Sequence, residues 1–210
     1  MKLLLTAFDP FGGATVNAAL EAVKLVKEKI GETSVIKLTV PTVFEKSIET
    51  VTSAIEREKP DAVLCVGQAE GRKDITPERV AINLDDARIA DNEGNRPVDA
   101  AIRADGDAAY FSTLPIRAIE RSINDAQIPC SISNTAGTFV CNHLMYGLLY
   151  TLSKSRSQVR AGFIHVPLVK CHNAPQDVPS ISLSDTVKAL ETAISAIDKD
   201  LAELKFPSDK

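Results

Sequence analysis

The sequence has no basic stripe, no long apolar run and no break in composition. Its 28 acidic and 24 basic residues are interspersed and give a formal charge of −4, so a polyanion finds no footprint and nucleic acid is excluded as a partner. The opening run of apolar residues stops at Asp9, too short for a signal-peptide core or a membrane span, so no membrane association is expected and the cytoplasm is the expected location. Cys65, Cys130, Cys141 and Cys171 lie far apart, which reads as free thiols in a reducing compartment rather than a disulfide framework. Gly12-Gly13 belongs to neither a Gly-x-Gly-x-x-Gly nor a Walker pattern, so the nucleotide signal is weak. Cys141 with His143, and Cys171 with His172, match no zinc spacing, so neither metal nor cofactor is expected. With no composition shift over 210 residues, a single domain covering 1–210 is expected, mobile from about 206 to 210.

What is present is an alternation of buried strands and amphipathic helices. Residues 2–7 form a first apolar run, followed by Phe8-Asp9-Pro10-Phe11-Gly12-Gly13 as a turn. Two phenylalanines in one loop stand out in a chain with seven Phe and no Trp. A helix from about Asn17 follows, with Leu20, Val23, Val26 and Ile30 on one face and Gly31 at its end. Residues 35–40 are a second strand, and Phe44, Ile48, Val51 and Ile55 mark a second helix that closes before Pro60. The near-continuous apolar run at 61–67 fits a central parallel strand. Residues 130–133 and 161–166 are two more strands, with helices opening at Pro115, beside Cys141 and at Ser182, the last with a capping-box spacing to Asp185. The predicted architecture is α/β: an open, twisted, mostly parallel sheet with helices on both faces, in three layers. The rhythm lapses only between Gln68 and Thr113, where Val80, Ile82 and Leu84 alternate among many charged residues; a polar excursion of that length is either a solvated hairpin or a functional loop.

Ser133 to Tyr150 carries the first chemical signal. A free cysteine is ordinarily a small buried hydrophobe. Cys141 differs in its address, at the first turn of a helix just after a tight loop, where unpaired N–H groups and the helix dipole favour a thiolate by ~0.3 to 1 kcal/mol. A strand, a turn and a helix with the reactive atom at the junction is also the geometry of the nucleophile elbow, although Gly-x-Ser-x-Gly is absent.

The strand at 161–166 delivers His165 near its carboxyl end, where ligands bind in open α/β sheets, so His165 and the loop before Cys141 face one crevice. Together they are a nucleophile and a base, and pairing with an imidazolium lowers a thiol's pKa to ~3.5 to 7.5. His143 is set aside as the base, because positions i and i+2 of a helix face different ways. A third group must orient His165, and Asp74, Glu78, Asp85 and Asp86 all qualify by position; spacing does not separate them.

The chain resembles the pyrrolidone carboxyl peptidase family, the pyroglutamyl peptidases of type I. The resemblance rests on Thr6-Ala7-Phe8-Asp9-Pro10-Phe11-Gly12-Gly13, Gly67-Gln68-Ala69 with Gly71-Arg72, the run from Ile75 to Asn83, Asp86 to Ile89, Asp91 to Asn95, Ser133 to His143, and Gly162 to Pro167. It implies a cysteine peptidase that removes an N-terminal pyroglutamyl residue from peptides, with Cys141 as nucleophile, His165 as acid and base, and Glu78 orienting it. It further implies a lactam pocket of Phe8, Phe11, Gln68, Ile89, Phe139 and Val140, Arg88 near the oxyanion site, and a cytosolic, metal-free homotetramer. A pyroglutamyl ring is flat and uncharged, so an apolar pocket with a few fixed polar groups suits it, whereas a charged amino terminus is desolvated there without a partner. The chain departs from the family pattern at Glu70 and Ala90, where glycine and proline are usual, and at Lys170-Cys171-His172-Asn173. Two other functions compete: a phosphorylase-like transferase that holds phosphate with Gly12-Gly13 and arginines, and a non-catalytic module that captures blocked peptide ends.

Overall fold

Every residue from Leu3 to Phe8 is buried, because strand β1 (Lys2–Phe8) is covered on both faces and carries an uninterrupted run of small and apolar side chains. The computed structural model describes residues 1–169 and 178–205. After β1 come α1 (Ala18–Leu25), β2 (Lys29–Ile30), β3 (Thr33–Val40), α2 (Lys46–Glu58), β4 (Ala62–Gln68), β5 (Thr76–Pro77), β6 (Val80–Ile82), β7 (Ala109–Phe111), α3 (Ile116–Asp125), α4 (Val140–Lys154), β8 (Arg160–Val166), β9 (Leu168–Val169), β10 (Ser180–Ile181) and α5 (Leu183–Lys205).

Six of the strands form one sheet in the order β2-β3-β1-β4-β8-β5. Its central four are parallel, and the two-residue strands β2 and β5 close the edges antiparallel. Alternation along the strands sends Leu3, Leu5, Leu64, Val66, Ile164 and Val166 into one core with α1, α3 and α5. Leu4, Val63, Cys65 and Phe163 point the other way, into a core with α2 and α4. The result is a single three-layer α/β/α domain, as the alternating pattern predicts. Among the described residues, no helix is long and apolar enough to cross a membrane.

Several local expectations need correction. The first helix ends at Leu25, with Val26 leaving helical geometry at ψ 138°, and Ile30 lies in β2. Gly31, at φ +57°, begins the two-residue hairpin turn from β2 to β3 rather than ending a helix. Residues 130–133 join no sheet as a strand; they make only the isolated bridges Ile75↔Cys130 and Glu78↔Ser133 alongside β5. Asn17 caps α1 by accepting from the N–H groups of Ala19 and Leu20, and Ser182 accepts from the N–H of Asp185 at 3.0 Å at the start of α5. Cys65 and Cys130 are buried free thiols. Cys171, His172 and the tail from 206 to 210 lie outside the described residues.

Helix α4 is buried through its middle: Leu144, Met145, Tyr146 and Leu148 are all nearly inaccessible. It lies so close to α2 that a β-carbon on Gly147 would fall 2.1 Å from Cδ1 of Ile48. That packing fixes the axis of α4, and with it the position of the residue at its start.

Candidate active site

Chain connections leave β1 toward β3 on one side and return through β4 to β8 on the other, so the sheet reverses direction between β1 and β4. A crevice opens outside the carboxyl ends of strands at such a reversal. It is occupied here by a cleft of about 570 Å³ lined by residues that follow β1 (Phe11, Gly12), β4 (Gln68, Glu70) and the loop before α4, together with Cys141 and His165.

Gly67 near the end of β4 pairs in register with His165 on β8. Paired residues on neighbouring parallel strands face the same side, about 4.8 Å apart. Gly67 has no side chain to fill its share of that face, and the sulfur of Cys141 lies 3.0 Å from where its β-carbon would be. The thiol and the imidazole therefore both lie against the same pair of strand ends, and both line the cleft. Phe163, two residues before His165, closes the floor, with its ring centroid 4.7 Å from the imidazole.

Cys141 is the second residue of α4 and is partly buried. The N-cap residue Phe139 makes no side-chain capping bond, so the first-turn N–H groups keep their donor capacity and the positive end of the helix dipole faces this region.

His165 is buried and its Nδ1 donates to Oε1 of Glu78 at 2.7 Å, which leaves Nε2 free. Glu78 is fully buried; the same oxygen accepts from Arg72 Nη1 at 2.6 Å. Arg72 also donates to Thr76 Oγ1 and, at 3.0 Å, to the carbonyl of Thr135, so one guanidinium ties β5 to the loop before Cys141. Two facts bring Glu78 to His165: Thr76 pairs with His165 across the β5–β8 edge, and the Glu78 N–H donates to the carbonyl of Phe163 at 2.9 Å. The other three carboxylates are engaged elsewhere. Asp74 accepts from Ser131, Asp85 contacts His143, and Asp86 lines the cleft and accepts from the Asp99 N–H.

Protonation follows burial. Burial pushes the Cys141 thiol up to about 12, the Glu78 carboxylate pushes it the same way, and the Arg72 guanidinium opposes both. Burial likewise pushes His165 below 6.5, against the pull of Glu78. Burial thus works against the thiolate–imidazolium pair expected from the sequence, while Glu78 favours the imidazolium and Arg72 the thiolate.

Of the seven residues expected in the pocket, Phe11, Gln68, Arg88, Ile89 and Phe139 line the cleft. Phe8 and Val140 are not among its lining residues: Phe8 is 3% exposed and packs on Phe163, and Val140 is fully buried in the core beneath α4. Phe11 and Phe139 have ring centroids 6.2 Å apart. Oε1 of Gln68 accepts from the Ala18 N–H at 2.7 Å, which assigns its amide and leaves the NH₂ as a donor. Of the two departures from the family pattern within 1–169, Glu70 lines the cleft and Ala90 does not.

Three contributors were not read from the sequence. Gly67 makes room for the sulfur, Arg72 anchors Glu78, and a buried pair joins His143 to Asp85. His143 Nδ1 lies 2.7 Å from Asp85 Oδ2, and its Nε2 accepts from the Glu45 N–H at 2.9 Å, so the proton is on Nδ1. Gly67 and Arg72 fall inside motifs that carry the resemblance, which was the available signal; nothing in spacing marks His143 and Asp85 as partners.

A thiol, an imidazole and a buried carboxylate gathered at the carboxyl edge of a mostly parallel sheet define a cysteine hydrolase of the α/β class. The model of the family described as pyroglutamyl peptidase matches residues 1–200, and the chain belongs to that family. It is 56% identical over 199 residues to the pyrrolidone-carboxylate peptidase of Clostridium perfringens, covering 94% of this chain and 93% of that one. With the pyrrolidone-carboxylate peptidase of Alkaliphilus oremlandii it shares 52% identity over 206 residues, covering 98% and 97%. The crystal structure of pyroglutamyl peptidase I from Bacillus amyloliquefaciens superposes with a TM-score of 0.91 at 49% identity, covering 94% of this chain and 97% of that one. A mutant pyrrolidone carboxyl peptidase from Pyrococcus furiosus gives 0.89 at 38% identity, covering 96% and 100%.

Proposed function

We propose that this protein is a cysteine peptidase that releases the N-terminal pyroglutamyl residue of peptides, with Cys141 as nucleophile, His165 as acid and base, and Glu78 holding the imidazole in the tautomer that presents Nε2. As the sulfur adds to the carbonyl carbon, its proton passes to Nε2, and the oxyanion is met by first-turn N–H groups of α4 and by Arg88. The imidazolium, stabilised by Glu78, then protonates the leaving amine; the C–N bond breaks and a thioester remains. Water gives a proton to Nε2 and adds to the thioester, the C–S bond breaks, and the thiol regains its proton as pyroglutamate leaves.

Phe11, Phe139 and Ile89 wall the lactam, and the Gln68 NH₂ donates to its carbonyl. Phe8 and Val140 support that pocket from beneath. Glu70 and Asp86 are exposed to solvent, so a charged amino terminus buried between the rings would be desolvated without a buried counter-ion. The observation that carries this reading is the chain of contacts from Arg72 through Glu78 to His165 beside a cysteine whose sulfur fills the place of an absent side chain. Pyroglutamyl, glutaminyl and glutamyl coumarin amides test it: turnover of the first alone, abolished in step with alkylation of the thiol, is expected. Equal turnover of all three, or turnover by the fully alkylated protein, refutes it; phosphate dependence would favour the transferase, and binding without product the capture module.

The family resemblance further supports a homotetramer acting in the cytoplasm, without nucleic-acid or membrane partners. Sedimentation equilibrium tests the subunit count, and fractionation of cells tests the location.

A further inference from the structure

A five-membered lactam is far smaller than a cleft of about 570 Å³, so the cleft also receives residues that follow the pyroglutamyl group. Given the activity above, on which this inference rests, the leaving amine must face His165, and the next residue must run along whatever adjoins that imidazole. Thr76 of β5 adjoins it on one side and the end of β4 on the other, and of the residues beyond these two neighbours it is those after β4, Ala69 and Glu70, that line the cleft. Gly67 pairs with His165, and the Ala69 N–H donates to the carbonyl of Val166 at 2.9 Å, so the chain beyond β4 stays alongside β8.

Residues 69–72 then form a turn in which the Arg72 N–H donates to the carbonyl of Ala69 at 3.4 Å and Gly71 takes φ +83°. That glycine conformation is what a type II turn needs at its third position, and it leaves Glu70 at the exposed second position. Both ends are pinned, Ala69 on β8 and Arg72 on Glu78, the carboxylate that holds His165. Glu70 lines the cleft on this wall, and among the described residues its carboxylate has no ion pair or hydrogen bond.

The other charges nearby are already matched or lie elsewhere. Asp86 and Arg88 both line the cleft, lie two residues apart and have opposite signs. Arg72 is spent on Glu78, and Lys73 is exposed but does not line the cleft. Among the described residues that line the cleft after β4, the one charge without a partner is negative.

We propose that Glu70 is a specificity-determining residue that favours substrates with a cationic residue directly after the pyroglutamyl group and disfavours an acidic one there. The peptides pyroglutamyl-lysyl-alanine, pyroglutamyl-glutaminyl-alanine and pyroglutamyl-glutamyl-alanine, assayed for pyroglutamate release, give the test. Wild-type kcat/KM is expected to rank Lys over Gln over Glu, with Lys ahead of Glu by roughly fivefold, the scale of an exposed ion pair. The ratio is expected to fall toward one in Glu70→Gln or at about 0.5 M salt, and to invert in Glu70→Lys. Equal wild-type rates for the three peptides, or a ratio that survives Glu70→Gln, overturn the assignment while the peptidase activity stands. Release from none of the three overturns both.

Discussion

The sulfur of Cys141 lies 3.0 Å from the point where any residue other than glycine at position 67 would carry its β-carbon. The same point is 2.8 Å from Cζ of Phe163, so an added methyl group is caught between the thiol and the floor of the site. Gly67→Ala is expected to cost about 1–3 kcal/mol of stability through overpacking. Displacing the thiol by an ångström is also expected to lower kcat/KM roughly 100-fold. Chemical denaturation and steady-state kinetics on the purified variant check the two effects, and an alanine variant with full activity would show that the sulfur has room to spare.

Glu78 and Arg72 separate orientation from burial. Glu78→Gln keeps the shape but removes the charge that stabilises an imidazolium, so kcat is expected to drop about 10²- to 10⁴-fold. Arg72→Met leaves a fully buried carboxylate without its cation, which costs about 3–5 kcal/mol when one partner of a buried pair is removed. The glutamine variant should therefore melt near the wild type while the methionine variant should not, a contrast that calorimetry reads directly.

The protonation states set a window in pH. His165 is held below 6.5 in the folded chain, so the unfolded chain binds more protons as pH falls through 6.5, and stability is lost on that side. Cys141 is pushed from 9.0 to about 12, so the unfolded chain ionises first as pH rises above 9.0, and stability is lost on that side too. Urea midpoints should be highest between 6.5 and 9.0, with the alkaline decline reduced in Cys141→Ala. Iodoacetamide should react with the free folded enzyme progressively faster as pH rises toward about 12; a rate that is flat from pH 5 upward would mean a resting thiolate.

His143 is buried two residues past Cys141 and accepts the Glu45 N–H while contacting Asp85, so it joins the segments around Glu45 and Asp85 to the start of α4. His143→Phe fills the space and strands a buried carboxylate, at a cost of about 1–3 kcal/mol. His143→Asn keeps a donor for Asp85 and should recover part of that loss. Thermal melts of the two variants give the comparison, and equal stability of both with the wild type would leave the pair without energetic weight.

The layers of this fold were legible because hydrophobic runs at 2–7, 61–67 and 161–166 are long and both faces of those strands are covered. Short elements were not. β5 and β2 have two residues each, too few for any period to emerge, and residues 130–133 have an apolar pattern but make only isolated bridges. Cys141 and His165 could be named because each sits at the end of a recognisable element. Their partner could not be chosen by spacing, since Glu78 reaches His165 through an edge pairing 87 residues apart in sequence. The resemblance supplied that choice; of the pocket residues it implied, Phe8 and Val140 do not line the cleft of the free chain.

Glu78 directly follows a two-residue strand at one edge of the six-stranded sheet, held by two residue pairs to β8, by isolated bridges to residues 130–133 and by one guanidinium. Rims unzip before middles do, because fewer neighbours hold them. Warming should accordingly silence the enzyme while most of its backbone is still in place, and cooling should restore it without any need to refold the centre.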